Sequence, residues 1–303
     1  MYRYKRLMIG LNLTDEDKST IEYAAMISRM AQSESIRFVH VVSNPDIPEA
    51  LLTEYPGLAN VGSEHARARM TELVAAHFDG HPDAEIVYKV IKGSPLFELL
   101  RLASQKDVDL ILVGRKPAER IGGALAEKLA RKAPCSVLIV PDGFEARIKK
   151  ILIPVDYSEH SAQAMDVATA FASSRGLPDI SCLHAYRVPI GYGKTGKTYE
   201  EFGKVMKTHA ERDYKTFIRE CDLKEISVSP SFLLADRPAD GIRKVIEEQK
   251  SDLVVIGARG RSAAAAVLLG SVTERLIQTT EVPLLAVKKK GAGMGLLEAL
   301  LNL

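Results

Sequence analysis

Two stretches, KRLMIGLNLT at residues 5–14 and KILIPVDYS at residues 150–158, decide how this chain folds. Each contains a short apolar run that leads into polar residues, a pattern typical of a buried strand followed by a loop. The stretches align with Asn12 opposite Asp156, 144 residues later. Such a match indicates an internal repeat, which has to be sought before any fold is assigned.

Further landmarks repeat with nearly the same period. His40 lies 28 residues after Asn12, in RFVHVV, and His184 lies 28 residues after Asp156, in SCLHAY. The strings VDLILVG and SDLVVIG each end 19 residues after a proline. Because four landmarks keep their spacing, the sequence predicts two tandem copies of one domain.

The join between the copies is expected within DGFEARIKK, residues 142–150, where a glycine and charges interrupt the apolar pattern. This divides the chain into domains at 1–146 and 147–290 and a tail at 291–303, and 303 residues suit about two domains of ~150 residues. The tail sequence GAGMGLLEALLNL can form about two helical turns, either as a frayed end or docked on a groove or a partner chain.

Each copy alternates apolar runs with helical patterns, most clearly in the C-terminal half. Strands are expected at about 149–155, 180–186, 227–234, 252–256 and 283–287, and helices near 159–174, 199–220, 238–249 and 271–279. Five strands with four crossovers predict an α/β fold, a doubly wound parallel sheet with helices on both faces. Such sheets bind ligands outside the carboxyl ends of their strands, so functional residues are expected after strands 1, 2 and 4.

Composition excludes several classes of protein. The chain has 46% hydrophobic and 26% charged residues and a net charge of +2, which gives no indication of a nucleic-acid partner. No apolar run approaches the ~18 residues of a membrane span, and the first residues have the pattern of a strand rather than of a secretion signal. Three cysteines without a C-x-x-C pair predict no disulfide framework, so the expected location is cytoplasmic.

A glycine-rich loop follows strand 4 of the C-terminal copy, in GARGRSAAAAVLLGS at residues 257–271. Gly257 ends the strand, and Gly270 opens the next helix. Gly260 is expected either to take a positive φ or to allow a ligand to approach the backbone closely. The unpaired N–H groups of a helix start, together with the helix dipole, favour a bound phosphate.

Side chains of the same loop suit an anion. Ser271 and Thr273 can donate hydroxyl hydrogen bonds, and Arg259 or Arg261 can add positive charge. The alternative is a strand–turn–helix connection whose glycines serve geometry alone. The position of the loop after strand 4 favours phosphate binding.

At these residues the sequence resembles the ATP-binding universal stress proteins. The spacing G-x-x-G, nine residues, G-S is similar to their nucleotide loop, ILIPVDYSEHSAQAM to their first strand and helix, and SCLHAY to their second strand. The resemblance covers nearly the whole chain as two tandem copies. It implies an adenine nucleotide alpha hydrolase-like fold and a site for ATP, or for ADP or AMP, with or without Mg²⁺.

The resemblance also implies which residues hold the nucleotide. They are Pro154, Val155 and Asp156 after strand 1, Ala185 on strand 2, Ile256 and Gly257 at the end of strand 4, and Arg259, Gly260, Gly270, Ser271, Val272 and Thr273 around the phosphates. Asp156 has an alternative role as a helix-capping carboxylate. His184 is interpreted as a packing histidine, and the sequence predicts no catalytic residue and no metal site.

The N-terminal copy departs from this motif. Its loop, GRKPAERIGGALAEK at 114–128, is four residues shorter and has Pro117 at the second glycine position. Ala124 stands where Ser271 stands, and Asn12 replaces the strand-end aspartate. Because proline lacks an N–H and fixes φ, this copy is predicted to be degenerate as a nucleotide site.

A second phosphate motif competes with this interpretation. GYGKTGKT at 191–198 matches the Walker A pattern G-x-x-x-x-G-K-[ST]. It predicts a P-loop NTPase that uses Lys197 and Thr198. The alternatives are a flexible surface loop, or a lid in which Lys194 or Lys197 touches the phosphates of a nucleotide bound elsewhere.

The sequence thus predicts a cytoplasmic stress-response protein that binds an adenine nucleotide in its C-terminal domain as a conformational ligand, with slow or no hydrolysis. A P-loop NTPase and a nucleotide-independent interaction scaffold are the alternatives. The two copies are expected to pack as a pseudo-dimer through their apolar last strands, because an unpaired edge invites aggregation. Further expected partners are a second copy of the chain and an unidentified protein, but no nucleic acid and no membrane.

Overall fold

The computed structural model describes residues 3–42, 58–115, 124–260 and 269–291. The chain divides into two compact units, one built mainly from residues 1–147 and joined by the stretch that starts at Lys289, the other from Ile148–Lys288. Within each unit the paired strands are parallel.

The N-terminal unit alternates strands and helices. Its elements are β1 (Arg6–Gly10), α1 (Asp17–Ala31), β2 (Ser35–Val42), α2 (Leu58–His77), β3 (Glu85–Lys92), α3 (Pro95–Gln105), β4 (Leu110–Arg115), α4 (Ala124–Lys132) and β5 (Ser136–Pro141). All neighbouring strands of this unit are parallel, in the order β3-β2-β1-β4-β5.

The C-terminal unit repeats this order of elements. They are β6 (Ile151–Pro154), α5 (Glu159–Ser174), β7 (Asp179–Tyr186), a short 3₁₀ turn (Tyr192–Thr195), α6 (Tyr199–Arg219), β8 (Ser227–Leu234), α7 (Pro238–Gln249), β9 (Leu253–Gly257), α8 (Ser271–Thr279) and β10 (Leu284–Val287). The strands are again parallel, in the order β10-β9-β6-β7-β8. The doubly wound α/β class and the strand and helix positions predicted for this half are confirmed.

Burial explains the apolar runs. Every residue of β6, β9 and β10 is buried, so these strands show no alternation of polar and apolar residues. β8, last in its order, is only partly covered and accommodates Pro230, since the missing proline N–H is tolerated on an edge strand. Within the described ranges no helix combines the length and the apolar character that crossing a bilayer requires.

Local signals place the helix that supports the candidate site. Ser158 is the N-cap of α5, and its hydroxyl accepts a hydrogen bond from the backbone N–H of Ser161 at 3.3 Å. Just past the end of α5, Gly176 has a φ of +65°, the left-handed conformation that favours glycine.

Two of the three lysines that follow β10 are buried or paired. Lys288 is buried, with 7% of its surface exposed. Lys290 forms ion pairs with Asp107 at 2.9 Å and with Asp109 at 2.6 Å. These ion pairs explain why residues 289–290 group with the N-terminal unit, whereas the sequence analysis assigned them to the second domain.

Candidate functional site

The carboxyl ends of β6, β7 and β9 form a crevice in the C-terminal unit. From β6 the chain passes to β7 and β8 on one side and returns to β9 and β10 on the other, so the order of strands reverses between β6 and β9. A cavity of about 440 Å³ opens at this switch point. Its size lies in the range of small-molecule sites, and its position is the one expected for ligands of open α/β sheets.

All twelve residues of the predicted nucleotide set line this one cavity. They are Pro154, Val155, Asp156, Ala185, Ile256, Gly257, Arg259, Gly260, Gly270, Ser271, Val272 and Thr273. The lining also includes five residues that the sequence analysis did not name: Ser161, Leu183, Pro238, Ile242 and Leu269. Arg261, the alternative cation, lies outside the described residues.

The five additional residues come from places that the motifs do not cover. Pro238 and Ile242 belong to the first turns of α7, which follows the edge strand β8. Their spacing of four places both on one face of the helix, a signal that the sequence contains. No motif, however, indicated that this face would turn toward the cavity.

Different elements contribute apolar and polar residues to the lining of the cavity. β7 and α7 contribute apolar side chains, namely Leu183, Ala185, Pro238 and Ile242. The connection from β9 to α8 contributes Arg259, two glycines and the start of a helix. The cavity therefore offers an apolar wall to a flat ring and a polar, positively charged wall to an anion.

Hydrogen bonds fix the carboxylate of Asp156. Its Oδ1 accepts a bond from the backbone N–H of Ser158 at 3.1 Å and another from the Ser161 hydroxyl at 2.8 Å. The backbone N–H of Asp156 donates to the same hydroxyl at 3.0 Å. Asp156 therefore both closes the turn before α5 and lines the cavity, so the capping and the binding interpretations are compatible.

The aromatic ring of Tyr157 packs next to this turn. Tyr157 has a φ of +63°, and its ring stacks on His184 with centroids 4.3 Å apart. Nδ1–H of His184 donates to the carbonyl of Val155 at 2.8 Å. His40 makes the equivalent bond to the carbonyl of Leu11, also at 2.8 Å, in the N-terminal unit. The interpretation of His184 as a packing histidine agrees with these contacts.

Gly257 and Gly260 are needed for close approach rather than for a positive φ. A Cβ at Gly257 would lie 2.8 Å from the carbonyl oxygen of His160, in the first turn of α5. A Cβ at Gly260 would lie 2.6 Å from Oδ2 of Asp156. Neither glycine has a positive φ, so of the two roles expected for Gly260 only close approach remains, and the group that approaches is a carboxylate of the protein.

The start of α8 has no side-chain cap. Its N-cap is Gly270, which has no side chain to accept the first N–H groups of the helix, and Ser271 and Val272 line the cavity. Thr273 is buried, and its hydroxyl donates to the carbonyl of Gly257 at 2.9 Å. Thr273 therefore ties α8 to β9 and does not offer the hydroxyl hydrogen that the sequence analysis assigned to phosphate.

Arg259 places a positive charge near this helix start, and Glu274 in the first turn of α8 carries a negative one. Arg259 is partly exposed and makes no ion pair within the described ranges. Burial and, second, the charge of Arg259 lower the pKa of His160 below its ordinary value of 6.5, so this imidazole is neutral at pH 7. The positive charge beside the cavity is therefore that of Arg259, which an anion would neutralise.

The Walker-like loop has a geometry different from that of a P-loop. Thr198 is the N-cap of α6, and its hydroxyl accepts the N–H of Glu201 at 3.2 Å, while the Glu201 carboxylate accepts the N–H of Thr198 at 2.9 Å. This capping box engages the N–H of Thr198 and the hydroxyl that a P-loop directs at Mg²⁺. Among the described residues that line the cavity, none belongs to 191–198.

The equivalent turn in the N-terminal unit is built differently. Asn12 is exposed, and the buried carboxylate of Asp17 accepts backbone N–H bonds from Asn12, Leu13 and Thr14 at 3.2, 2.6 and 3.2 Å. Burial raises the pKa of Asp17 above 3.8, against the opposing effect of these three bonds. Pro117 and the rest of the shortened loop lie outside the described residues.

Metal-ligand and thiol chemistry have little support in the described parts of the chain. No group of three or more His, Cys, Asp or Glu side chains there could hold a metal ion. Burial raises the pKa of Cys182 to about 12 and that of the half-buried Cys221 to about 11. Thiols with such pKa values are poor nucleophiles at neutral pH.

The sequence comparisons with known proteins all point to one family. The model of the universal stress protein family matches residues 3–141 and again residues 147–288. A universal stress protein of Thermus aquaticus is 31% identical over 140 residues, which are 46% of this chain and 98% of that protein. One from Mycolicibacterium smegmatis is 24% identical over 301 residues, 94% of this chain and 97% of that protein.

Solved structures show the same fold. The crystal structure of a universal stress protein from Archaeoglobus fulgidus matches with a TM-score of 0.62 and 17% identity, over 95% of this chain and 98% of that one. A universal stress protein structure from Pseudomonas aeruginosa also gives a TM-score of 0.62 at 17% identity, over 99% and 98% of the two chains.

Proposed function

The chain belongs to the universal stress protein family, and from this premise we propose that its C-terminal unit binds ATP, or ADP or AMP, as a conformational ligand in a stress response. The observation that carries the proposal is the switch-point cavity, closed on one side by an uncapped helix start beside Arg259. Phosphate and the N-terminus of a helix attract each other through the open N–H groups and the helix dipole.

The adenosine part of the ligand suits the other side of the cavity. Leu183, Ala185 and Ile242 provide an apolar wall for the base, and the backbone of β7 at Ala185 offers polar atoms to its edge. Asp156 lines the cavity with a carboxylate, which is proposed to accept a ribose hydroxyl. Mg²⁺, where it accompanies the nucleotide, would bind through the phosphates.

The same cavity gives little support for rapid hydrolysis. Asp156 is the one carboxylate among the described residues that line it, and this carboxylate holds the turn before α5 together. A general base must reach an attacking water within about 3 Å and is usually oriented by a partner group. We therefore expect the nucleotide to act through its binding energy, with hydrolysis slow or absent.

A ligand that binds only the folded state stabilises the protein by RT ln(1 + [L]/Kd), which rises with the concentration of free ligand. At ~100 times Kd the gain is about 2.7 kcal/mol. Contacts with β6, β7, β9 and the starts of α7 and α8 would hold several elements of the C-terminal unit together. Occupancy would thereby change how readily this unit opens, which is a signal that a partner can sense.

Calorimetric titration with ATP tests the proposal, with one site per chain as the expected result. Gly270→Val adds a branched side chain at the phosphate position and is expected to weaken binding at least ~10-fold, or ~1.4 kcal/mol. Gly193→Val is the matched control, because a Cβ there meets no atom within 4 Å. Two equivalent sites per chain would contradict the assignment to the C-terminal unit.

Two further measurements separate the alternatives. Lys197→Ala is expected to leave binding intact, whereas loss of binding would indicate a P-loop NTPase. A steady-state turnover above ~1 s⁻¹ would indicate an enzyme rather than a conformational ligand. If the purified protein releases no nucleotide on denaturation and ATP produces no heat, the nucleotide-independent scaffold is supported instead.

A further inference from the structure

The segment between β7 and α6, residues 187–198, forms an ordered turn that the proposed nucleotide site does not use. Gly191 and Gly196 have φ values of +92° and +72° and flank the 3₁₀ turn. The hydroxyl of Thr195 donates to the carbonyl of Tyr192 at 2.6 Å inside that turn. The segment is thus shaped by its own hydrogen bonds.

Side chains at both ends anchor the segment to the unit. The Tyr192 ring contacts the rings of Tyr199 and Phe202, with centroids 5.9 and 6.3 Å apart. Val188 is buried, with 9% of its surface exposed. The Tyr199 hydroxyl donates to Asp236 at 2.8 Å, which fixes the start of α6. The ring of Tyr192 therefore packs on the start of α6 and is partly covered by it.

What the segment presents is one apolar residue among positive charges. Ile190 is fully exposed, and 187–198 contains Arg187, Lys194 and Lys197 but no acidic residue. All three cations are exposed and form no ion pair within the described ranges. A single exposed isoleucine is ordinary on a protein surface. Its display on an ordered turn beside three unpaired cations is not explained by packing.

We infer that residues 187–198, the basic turn, are a docking surface for an acidic segment of a partner protein. Carboxylates of that segment pair with Arg187, Lys194 and Lys197, and one of its apolar side chains covers Ile190. Charge complementarity selects this partner, because residues 187–198 contain three cations and no acid, and the carboxylate of Glu201 beside them is engaged by the N–H of Thr198. The inference goes beyond nucleotide binding and does not depend on it.

The turn suits a peptide better than a nucleic acid or a lipid surface. Binding of single strands relies on aromatic stacking, and the ring of Tyr192 packs against Tyr199 and Phe202. Stable membrane attachment needs larger apolar area or more charge than one isoleucine and three cations supply. A short acidic segment with one apolar anchor matches both the extent and the chemistry of the turn.

Fluorescence anisotropy on the full chain tests the inference. The probes are a short fluorescein-labelled peptide of glutamates and aspartates around one leucine, and the same peptide with glutamine in place of leucine. Lys197→Glu is expected to weaken binding of both peptides at least ~10-fold. Lys244→Glu is the matched control, an exposed lysine on α7 whose reversal changes the net charge equally.

The apolar contact has its own test. Ile190→Ser is expected to weaken the leucine peptide about threefold or more and to leave the glutamine peptide unchanged. Equal losses from Lys197→Glu and Lys244→Glu, or no discrimination between the peptides by Ile190→Ser, would overturn the inference. The inference would also be overturned if neither peptide binds while phosphatidylglycerol vesicles or an oligonucleotide bind in a way that depends on the turn.

Discussion

Substitution of Gly260 by alanine tests how the connection from β9 to α8 is joined to the end of strand β6. The added Cβ would lie 2.6 Å from Oδ2 of Asp156, roughly 0.8 Å closer than ordinary contact at 3.4 Å. The carboxylate cannot retreat without disturbing Oδ1, which accepts bonds from the Ser158 N–H and the Ser161 hydroxyl. Either these bonds break or the loop is displaced.

The magnitude follows from these two bonds. A hydrogen bond to a charged group contributes ~1.5–3 kcal/mol when it is buried, and solvent in the open cavity replaces part of it. We therefore expect Gly260→Ala to lower the free energy of unfolding of the C-terminal unit by about 1–3 kcal/mol, a range that overpacking also produces. Nucleotide affinity is expected to fall with it, because the loop is displaced from the cavity.

A double-mutant cycle isolates the cause. In an Asp156→Ala background the clashing oxygen is absent, so Gly260→Ala is expected to cost less than ~0.5 kcal/mol there. Gly270→Ala is the control, since its Cβ would meet its nearest atoms at 3.5–3.6 Å, which is ordinary contact. Denaturant unfolding is followed by circular dichroism, because the chain has no tryptophan. Equal costs of Gly260→Ala in both backgrounds would refute the steric argument.

Three further predictions concern the scaffold. Gly257→Ala is expected to lower the free energy of unfolding by about 1–3 kcal/mol, because its Cβ meets a backbone carbonyl. The equivalent Gly114→Ala is expected to lower it by less, because its Cβ meets a threonine hydroxyl at 3.0 Å that can rotate away. Equal unfolding midpoints of the two variants would contradict this. Cys182 and Cys221 are expected to react with iodoacetamide at pH 8 at least ~10-fold more slowly in the native than in the unfolded chain, measured by peptide mass spectrometry, and equal rates would show that their thiolates are not suppressed. The raised pKa of Asp17 means that the native state binds its proton more tightly than the unfolded state does. Stability from this group is therefore present below pH 3.8 and is lost as pH rises through the folded pKa. The free energy of unfolding of the wild type minus that of Asp17→Asn is expected to fall over this pH window, and a rise would contradict the sign.

The fold could be predicted because the same pattern of strands and helices occurs twice in the sequence. Buried parallel strands read as continuous apolar runs, and the repeat of landmarks such as His40 and His184 fixed the equivalence of the two copies. The cavity wall from β6 and β9 could also be predicted, since Asp156 and Gly257 directly follow or end recognisable strands. These residues depend on local sequence and on one general rule of sheet topology.

The contribution of α7 could not be predicted in the same way. Pro238 and Ile242 reach the cavity only because α7 packs beside β7 and α8, which is a tertiary arrangement. The role of Thr273 was misassigned for a related reason. From the sequence, a hydroxyl at a helix start can donate either to an anion or to the backbone. The position of the Gly257 carbonyl in the structure shows that the Thr273 hydroxyl donates to the backbone.

The two copies place one carboxylate differently, and this decides what each strand end can bind. In the C-terminal unit it stands at Asp156, on the cavity lining, and Ser161 in α5 supports it. In the N-terminal unit the equivalent positions are Asn12 and Asp17, so the carboxylate stands in the helix and three backbone N–H groups of the turn point at it. A carboxylate held in this way is buried and cannot accept a ligand hydroxyl. Asn12→Asp would restore the missing acid but would set two carboxylates against one turn, and their repulsion would disfavour the ionised pair. A single substitution at position 12 therefore does not give the N-terminal turn the arrangement that Asp156 and Ser161 have in the C-terminal unit.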